Sequence, residues 1–176
     1  MRIIGLAGWS GAGKTVLVAR LIPHLTARGI TVSTVKHAHH AFDVDKPGKD
    51  SYEHRQAGAR EVLVSSELRF ALMHELRGAP EPRLAELLER LSPVDLVIVE
   101  GFKRETLPKI EIHRAANEKP FLFANDPDIV ALATDAPADS ELPTAHLDDI
   151  AAIAELMLAR AQTRDALLAR LKALAS

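Results

Sequence analysis

The sequence predicts an α/β fold with three layers around a mostly parallel central sheet, and three observations support this prediction. Strand-like apolar runs alternate along the chain with segments of helical periodicity, as parallel strands joined by crossover helices require. The run VDLVIVE at 94–100 is almost continuously apolar, which is typical of a parallel strand buried on both faces. The apolar run RIIGLA at 2–7 leads directly into the glycine-rich segment GWSGAGKT at 8–15. We therefore expect a single domain over residues 1–176.

The segment GWSGAGKT matches the phosphate-binding loop, or P-loop, pattern G-x-x-x-x-G-K-[ST] in the context that the pattern requires. It follows the first predicted strand and precedes a predicted helix over 16–28, whose N-terminus favours an anion. Lys14 is expected to reach the β- and γ-phosphates, and Thr15 to ligate Mg²⁺. The alternative is a glycine-rich turn that binds nothing. The predicted nucleotide-binding residues of the loop are Ser10, Gly11, Ala12, Gly13, Lys14 and Thr15.

Composition narrows the class of protein. The chain has 47% hydrophobic residues, enough for a core, and no run of 18 apolar residues that spans a bilayer. It contains no cysteine, and the first strand begins directly after Met1 without a signal peptide, so we expect a soluble, cytoplasmic protein. A formal net charge of −2 gives no basic field for nucleic acid. A small anionic ligand or another protein is the expected partner.

The remaining elements follow from periodicity and stop signals. A strand over 31–36 follows a helix stop at Gly29, and Asp50 with Glu53 resembles a capping box that starts a helix running to Ala59. The other predicted elements are strands at 61–65, 69–76, 109–114, 121–124 and 129–134, an amphipathic helix at 82–91, and a helical region at 148–175 with a break near 162–165. The stretch 162–176 is expected to form an added helix, with Leu167, Leu171 and Leu174 covering a core or dimer surface.

The predicted buried strand at 94–100 carries an acid at each end. Ligands of parallel sheets bind beyond the carboxyl ends of the strands, so Asp95, at the start, is expected to be structural. Glu100, at the other end, is expected to hold Mg²⁺ through a water or to polarise the attacking water. Lys14 and Glu100 are therefore the predicted catalytic pair, and Thr15 and Glu100 the predicted metal site. The alternative for Glu100 is an edge acid paired with Lys103 or Arg104.

The segment at 35–59, VKHAHHAFDVDKPGKDSYEHRQAGA, is dense in charge and histidine, and it follows the second predicted strand. Its residues allow a metal site, an anion site, a switch that senses Mg²⁺ and γ-phosphate, or a solvated polar loop. The metal reading uses His37, His39, His40 and His54. The anion reading uses Lys36, Lys46, Lys49, His54 and Arg55. The switch reading uses Asp43, Asp45 and Asp50.

Taken together, these motifs resemble the molybdopterin-guanine dinucleotide biosynthesis protein B (MobB) family over roughly residues 1–160, in GWSGAGKT, the 35–59 segment, LVIVEGFK and DPDIVALATD. The resemblance implies a GTP-binding adapter with weak GTPase activity that uses Mg²⁺ and forms a homodimer. Such a protein assists a MobA-type guanylyltransferase in attaching GMP to molybdenum cofactor, and molybdopterin is a further candidate partner whose direct binding the sequence does not decide. The resemblance adds His39, Asp43, Asp45, Lys49, Asp50 and Arg55 to the predicted ligand-facing residues.

Two other functions are compatible with a P-loop. The histidines suggest a metallochaperone GTPase, although the chain has no cysteine to supply a thiolate. A small-molecule kinase needs an arginine-rich insertion around a second substrate, and the sequence has none. Guanine specificity is not marked by an N-K-x-D motif, and Asn125 with Asp126 is the predicted base-reading position.

Overall fold

The computed structural model describes residues 1–38, 42–103 and 105–173, and these divide into two compact units. The larger unit consists of the residues before 38 and those after 83, and the smaller one is Ala38–Arg83. A single domain over the whole chain stays a prediction. None of the described helices is long and apolar enough to cross a lipid bilayer.

The helices and strands alternate as the sequence predicts. They are β1 (Arg2–Ala7), α1 (Lys14–Thr26), β2 (Val32–Lys36), α2 (Asp50–Gln56), β3 (Glu61–Ser65), β4 (Phe70–His74), α3 (Leu84–Glu89), β5 (Leu96–Glu100), β6 (Lys109–His113), β7 (Ile129–Thr134), β8 (Thr144–His146), α4 (Ile150–Arg160), β9 (Gln162–Thr163) and α5 (Arg164–Ala173).

The larger unit is built on one sheet, in the order β2-β5-β1-β6-β7-β8 within the described residues. These six strands run parallel, and β9 pairs antiparallel with the first residues of β1. In register, Leu6 of β1 lies opposite Glu100 of β5 and Ile110 of β6. The carboxyl ends of the three central strands therefore meet at one edge of the sheet, which confirms the predicted α/β fold.

Helices cover both faces of this sheet and make the three predicted layers. On one face α1 and α4 pack on the sheet, and α1 buries Leu17, Leu21 and Leu25, spaced four residues apart along one stripe. On the other face α3 and α5 pack against Ile3 and Val97. Complete burial of a Leu or Ile side chain contributes about 1.5–3 kcal/mol, so these two cores supply most of the driving force for folding.

Some predicted elements differ from the observed ones. The predicted strand at 121–124 is wrong, because a short 3-10 helix, Phe123–Asn125, occupies this position. The predicted capping box is also wrong, since Lys49 is the N-cap of α2 without a side-chain bond and Asp50 is already helical. The short strands β8 and β9 were not predicted. The C-terminal break falls at β9, and α5 lies where an added helix is expected.

The smaller unit contains α2 and an antiparallel hairpin of β3 and β4. Leu63 pairs with Leu72 and Ser65 pairs with Phe70, so these side chains share one face of the hairpin. Phe70 is 72% exposed, Leu63 61% and Leu72 50%, so this face has an exposed apolar patch beside the Glu61–His74 pair. We call Leu63, Phe70 and Leu72 the hairpin face.

Candidate functional site

The loop between β1 and α1 has the curled backbone that the P-loop motif predicts. Gly8, Gly11 and Gly13 have φ values of 145°, 82° and 93°, which L side chains rarely adopt. A Cβ on Gly8 would lie 2.5 Å from the carbonyl oxygen of Ile112 on β6, so the loop also approaches the sheet closely at this point. Only glycine satisfies both conditions at position 8.

Lys14, the first residue of α1, lies inside this loop. Its Nζ donates to the carbonyl oxygens of Gly8 at 2.8 Å and Trp9 at 3.0 Å. The loop thus surrounds the amine at a helix N-terminus, where the backbone N–H groups and the helix dipole favour an anion. Ser10, four residues before Lys14, and Thr15, directly after it, are both exposed.

The electrostatics at Lys14 favour a bound anion. Burial lowers the pKa of Lys14, and the neighbouring charges of Lys103 and Lys36 act in the same direction, while Glu100 opposes them. A phosphate next to the amine would compensate for this loss of solvation and for the repulsion between cations. The loop has the charge and the backbone that a nucleotide phosphate requires.

Two residues that the sequence analysis missed, Arg114 and Asn117, contact the loop from beyond the carboxyl end of β6, and Trp9 of the loop bonds to the same region. The indole Nε1 of Trp9 donates to the carbonyl oxygen of Pro120 at 2.8 Å. Asn117 donates through Nδ2 to the carbonyl oxygen of Ser10 at 3.2 Å. The guanidinium of Arg114 is next to Gly13, 3.5 Å from where a Cβ would be, and it pairs with Asp135 at 3.5 Å. Arg114 and Asn117 follow the central strand β6, and this position could have marked them as candidates in the sequence.

Glu100 lies at the carboxyl end of β5, as predicted, with its side chain 17% exposed. Its carboxylate is 3.6 Å from Nζ of Lys36 at the end of β2. The alternative prediction pairs Glu100 with Lys103 or Arg104, and Arg104 lies outside the described residues. Glu100 and the P-loop thus belong to the same edge of the sheet, and the predicted roles in catalysis and Mg²⁺ binding stay predictions.

Asp95 is structural, as the sequence predicts. Its carboxylate accepts from the backbone N–H of Thr31 at 2.8 Å and from the Thr31 hydroxyl at 2.6 Å. These bonds hold the pKa of Asp95 below its ordinary value. They join the starts of β2 and β5, away from the P-loop edge.

Several of the charged residues predicted to face a ligand in the smaller unit also bond to one another. Arg55 pairs with Asp43 at 2.8 Å, with Asp45 at 3.3 Å and with Glu75 at 2.9 Å. Asp45 also accepts from the Ser51 hydroxyl at 3.0 Å and so ties the loop to α2. The bonds from Arg55 hold the pKa of Asp43 below its ordinary value. In this unit Arg55 organises the acidic loop, and a ligand-binding role for this network stays a prediction.

The other ligand candidates of the 35–59 segment lie at several positions along it. Lys49 and Asp50 are exposed at the start of α2, and His54 is exposed further along it. His37 packs edge-on against Phe102 at 5.4 Å between ring centres. His39 and His40 lie outside the described residues. Among the residues that are described, no group of three or more His, Cys, Asp or Glu side chains is arranged to hold a metal ion.

Asp126, predicted to read a base, has other partners. Its carboxylate accepts from Nζ of the buried Lys109 at 2.9 Å and from the backbone N–H of Asp128 at 3.1 Å. Asp128 in turn pairs with Arg170 of α5 at 2.7 Å. This network attaches the loop that precedes β7 both to β6 and to α5. A base-reading role for Asp126 stays a prediction.

Glu111 on β6 explains why residues 121–124 do not form a strand. It is fully buried, and its two carboxylate oxygens accept from the backbone N–H groups of Leu122 at 2.7 Å and Phe123 at 2.9 Å. These bonds attach the backbone of this segment to the Glu111 side chain, in place of the ladder of a strand. Burial raises the pKa of Glu111 above its ordinary value, and the two N–H donors oppose this shift.

We expect Glu111→Gln to destabilise the protein by about 1–3 kcal/mol at neutral pH, because the amide has only one acceptor oxygen for two buried donors. The difference should shrink as the pH rises. The unfolded state ionises first, near pH 4.5, so wild-type stability falls until the folded Glu111 ionises at its raised pKa, whereas Gln does not titrate. Urea unfolding of both proteins between pH 4 and 8 measures this, and a difference that grows with pH contradicts it.

A parallel α/β sheet with a glycine-rich loop around Lys14 at the end of its first strand defines a P-loop nucleotide-binding fold. A family model for Molybdopterin guanine dinucleotide synthesis protein B matches residues 3–135. The chain belongs to this family, MobB, and functions as an adapter in molybdopterin-guanine dinucleotide biosynthesis.

Similar proteins support the assignment. The chain is 42% identical to the molybdopterin-guanine dinucleotide biosynthesis adapter protein of Escherichia coli, over 89% of this chain and 91% of that protein. It is 41% identical to the protein of the same name from Haemophilus influenzae, over 88% and 86%. The crystal structure of a molybdopterin-guanine biosynthesis protein B superposes with a TM-score of 0.72 and 29% identity, over 89% of this chain and 98% of that one.

Proposed function

We propose that this adapter binds GTP with Mg²⁺ through its P-loop and hydrolyses it slowly. The observation that carries the proposal is the loop of left-handed glycines around Lys14 at the start of α1. Lys14 and the N–H groups of residues 11–15 would hold the phosphates, while Thr15 and Glu100 would hold Mg²⁺. The metal would neutralise phosphate charge.

Two further cations favour a highly charged nucleotide at this loop. Arg114 is next to Gly13, and Lys36 is near enough to Lys14 to lower its pKa. Slow hydrolysis follows from the partners of these groups, because Arg114 is paired with Asp135 and Lys36 with Glu100. A group supplied by a partner protein would then accelerate turnover.

Calorimetric titration of the purified protein tests nucleotide binding. We expect GTP to bind more tightly than ATP and to bind more weakly when EDTA removes Mg²⁺. A preference for ATP, or no binding of either nucleotide, contradicts the proposal. Binding that depends on added nickel or zinc would instead favour a metallochaperone, which no described metal cluster supports.

We also propose that the GTP-bound protein assists a MobA-type guanylyltransferase in joining GMP to molybdenum cofactor in the cytoplasm. The family and the names of the relatives, which describe adapter proteins, support a partner enzyme in this pathway. A reconstituted guanylyltransferase assay, with and without this protein, measures the effect. We expect faster product formation with the wild-type protein and none of this gain with a variant that cannot bind GTP. Equal stimulation by both proteins contradicts the GTP requirement.

The hairpin face is the proposed homodimer surface. A two-stranded sheet is marginally stable in water by itself, and an exposed apolar face on such a sheet favours association. A second copy of the chain presents the same face, so a two-fold axis can bury both faces together. Leu63, Phe70 and Leu72 would then leave the solvent.

Leu72→Glu is expected to convert the dimer into a monomer, because it places two carboxylates in the proposed apolar contact. Light scattering on the eluting protein measures the mass directly. Gln56→Glu, which adds the same charge at an exposed position on α2, is the control and should remain dimeric. A monomeric wild-type protein, or a dimeric Leu72→Glu variant, contradicts the proposed surface.

A further inference from the structure

The first half of the P-loop, residues 9–11, is exposed and precedes the first residue of α1. Glycines with positive φ lie on both sides of Ser10, at Gly8 and Gly11. A glycine-rich segment of this kind loses much conformational entropy when it is ordered. A nucleotide therefore binds more tightly if the loop is already ordered in the free protein.

Two side-chain bonds connect this half of the loop to the 114–123 segment, which follows β6. The indole Nε1 of Trp9 donates to the carbonyl oxygen of Pro120 at 2.8 Å. In the opposite direction, Nδ2 of Asn117 donates to the carbonyl oxygen of Ser10 at 3.2 Å. Neither bond uses a backbone N–H group of the P-loop, so these groups stay available for a phosphate.

The 114–123 segment is itself anchored to β6. The ring of His113, at the end of this strand, is buried and stacks on Phe121 with 3.8 Å between ring centres. Its Nε2 lies 2.9 Å from the carbonyl oxygen of Lys119, and since a carbonyl only accepts, Nε2 carries the hydrogen and donates. Glu111 accepts from two further backbone N–H groups of the segment.

The start of the segment is attached to the end of β7. The backbone N–H of Ala115 donates to the Asp135 carboxylate at 2.7 Å, and the guanidinium of Arg114 pairs with the same carboxylate. The segment is thus anchored at its start by β7 and further along by β6. It provides fixed partners for Trp9 and Asn117.

We propose that Trp9 and Asn117 are positioning residues for the nucleotide. Through their bonds to the 114–123 segment they hold residues 9–11 in the phosphate-binding conformation before a nucleotide arrives. The inference rests on the proposed function. Loss of either bond gives the glycine-rich loop other conformations in the free protein, so the affinity for nucleotide falls while the fold remains.

Calorimetric titration with GTP and Mg²⁺ measures the effect on affinity. Asn117→Ala removes the bond to Ser10, and Trp9→Phe removes the indole N–H but keeps an aromatic ring. Each change should weaken GTP binding by about three- to tenfold, because a single neutral hydrogen bond is lost. Gln56→Ala, which removes an exposed amide side chain from α2, is the matched control and should bind GTP as the wild type does. Urea unfolding establishes that the variants are folded.

Trp9 also supplies a spectroscopic signature, because it is the only tryptophan of the chain. Without nucleotide, acrylamide should quench the Trp9 fluorescence more strongly in Asn117→Ala than in the wild type, since the loop is less ordered. Saturating GTP should remove this difference, because the bound phosphates then order the loop in both proteins. A purely structural role for Asn117 predicts no such dependence on nucleotide.

The outcomes separate this inference from the proposed function. Folded Asn117→Ala and Trp9→Phe proteins that bind GTP as the wild type does overturn the inference and leave the proposed function intact. Equal quenching of Trp9 in the wild type and in Asn117→Ala without nucleotide also overturns it. If Asn117→Ala is unfolded, the GTP affinity of Trp9→Phe decides. A wild-type protein that binds no nucleotide overturns the proposed function and this inference with it.

Discussion

Replacing Lys14 by alanine is expected to abolish GTP binding while leaving the protein folded. The amine supplies the charge at the centre of the P-loop, and its bonds in the described structure go only to the carbonyl oxygens of Gly8 and Trp9. A hydrogen bond from a charged group contributes about 1.5–3 kcal/mol, so the loss of two bonds to phosphate weakens binding by about 100-fold or more.

Calorimetry with GTP and Mg²⁺ measures this effect, and circular dichroism with urea unfolding establishes that the variant is folded. Lys172→Ala is the matched control, because this lysine belongs to α5 and pairs with Glu89 at 2.8 Å. It should bind GTP as the wild type does. A folded Lys14→Ala protein with unchanged GTP affinity would remove the assignment of residues 8–15 as a phosphate-binding loop.

Gly8→Ala is expected to lower the free energy of unfolding by about 2–5 kcal/mol. The new Cβ would meet the carbonyl oxygen of Ile112 at 2.5 Å, and this oxygen belongs to the backbone of β6, which has little freedom to move. The residue also has a φ of 145°, which favours glycine. Strain and steric overlap therefore add at one position.

Gly29→Ala provides the comparison for Gly8→Ala. Gly29 has a φ of 77° and nothing within 4 Å of an added Cβ, so this change carries the backbone strain alone, about 1–2 kcal/mol. Urea unfolding curves of the two variants give the difference directly. If Gly8→Ala lowered the free energy of unfolding no more than Gly29→Ala does, the steric contact between the loop and β6 would not contribute to the loss of stability.

The elements around the P-loop were predictable because their signals are local. The apolar runs of β1 and β5, the glycines and the helix that follows all lie within short windows of sequence. The segment at 121–124 was predicted wrongly because its conformation depends on Glu111, ten residues earlier on β6. Strands β8 and β9 are two or three residues long, too short for an alternating pattern.

The same difference between local signals and distant contacts applies to the candidate site. Lys14 and Glu100 were identified from motif and strand position, whereas Arg114 and Asn117 support the loop from about 100 positions along the chain. The charges around Arg55 show a different difficulty, since composition does not reveal whether acids and arginines bond to a ligand or to one another. In the structure Arg55 pairs with Asp43, Asp45 and Glu75, and a contact of the same residues with a ligand stays a prediction.

The pairing of β9 with β1 sets the order in which the P-loop strand acquires its neighbours during synthesis. Arg2 and Ile3 pair with Thr163 and Gln162, so the first strand made receives one partner only when almost the whole chain has been translated. The backbone N–H of Arg164 also donates to the carbonyl oxygen of Met1. Contacts between such distant residues form late and slowly. A ribosome-bound chain that stops before residue 162 would carry the complete GWSGAGKT motif on a strand that lacks this partner.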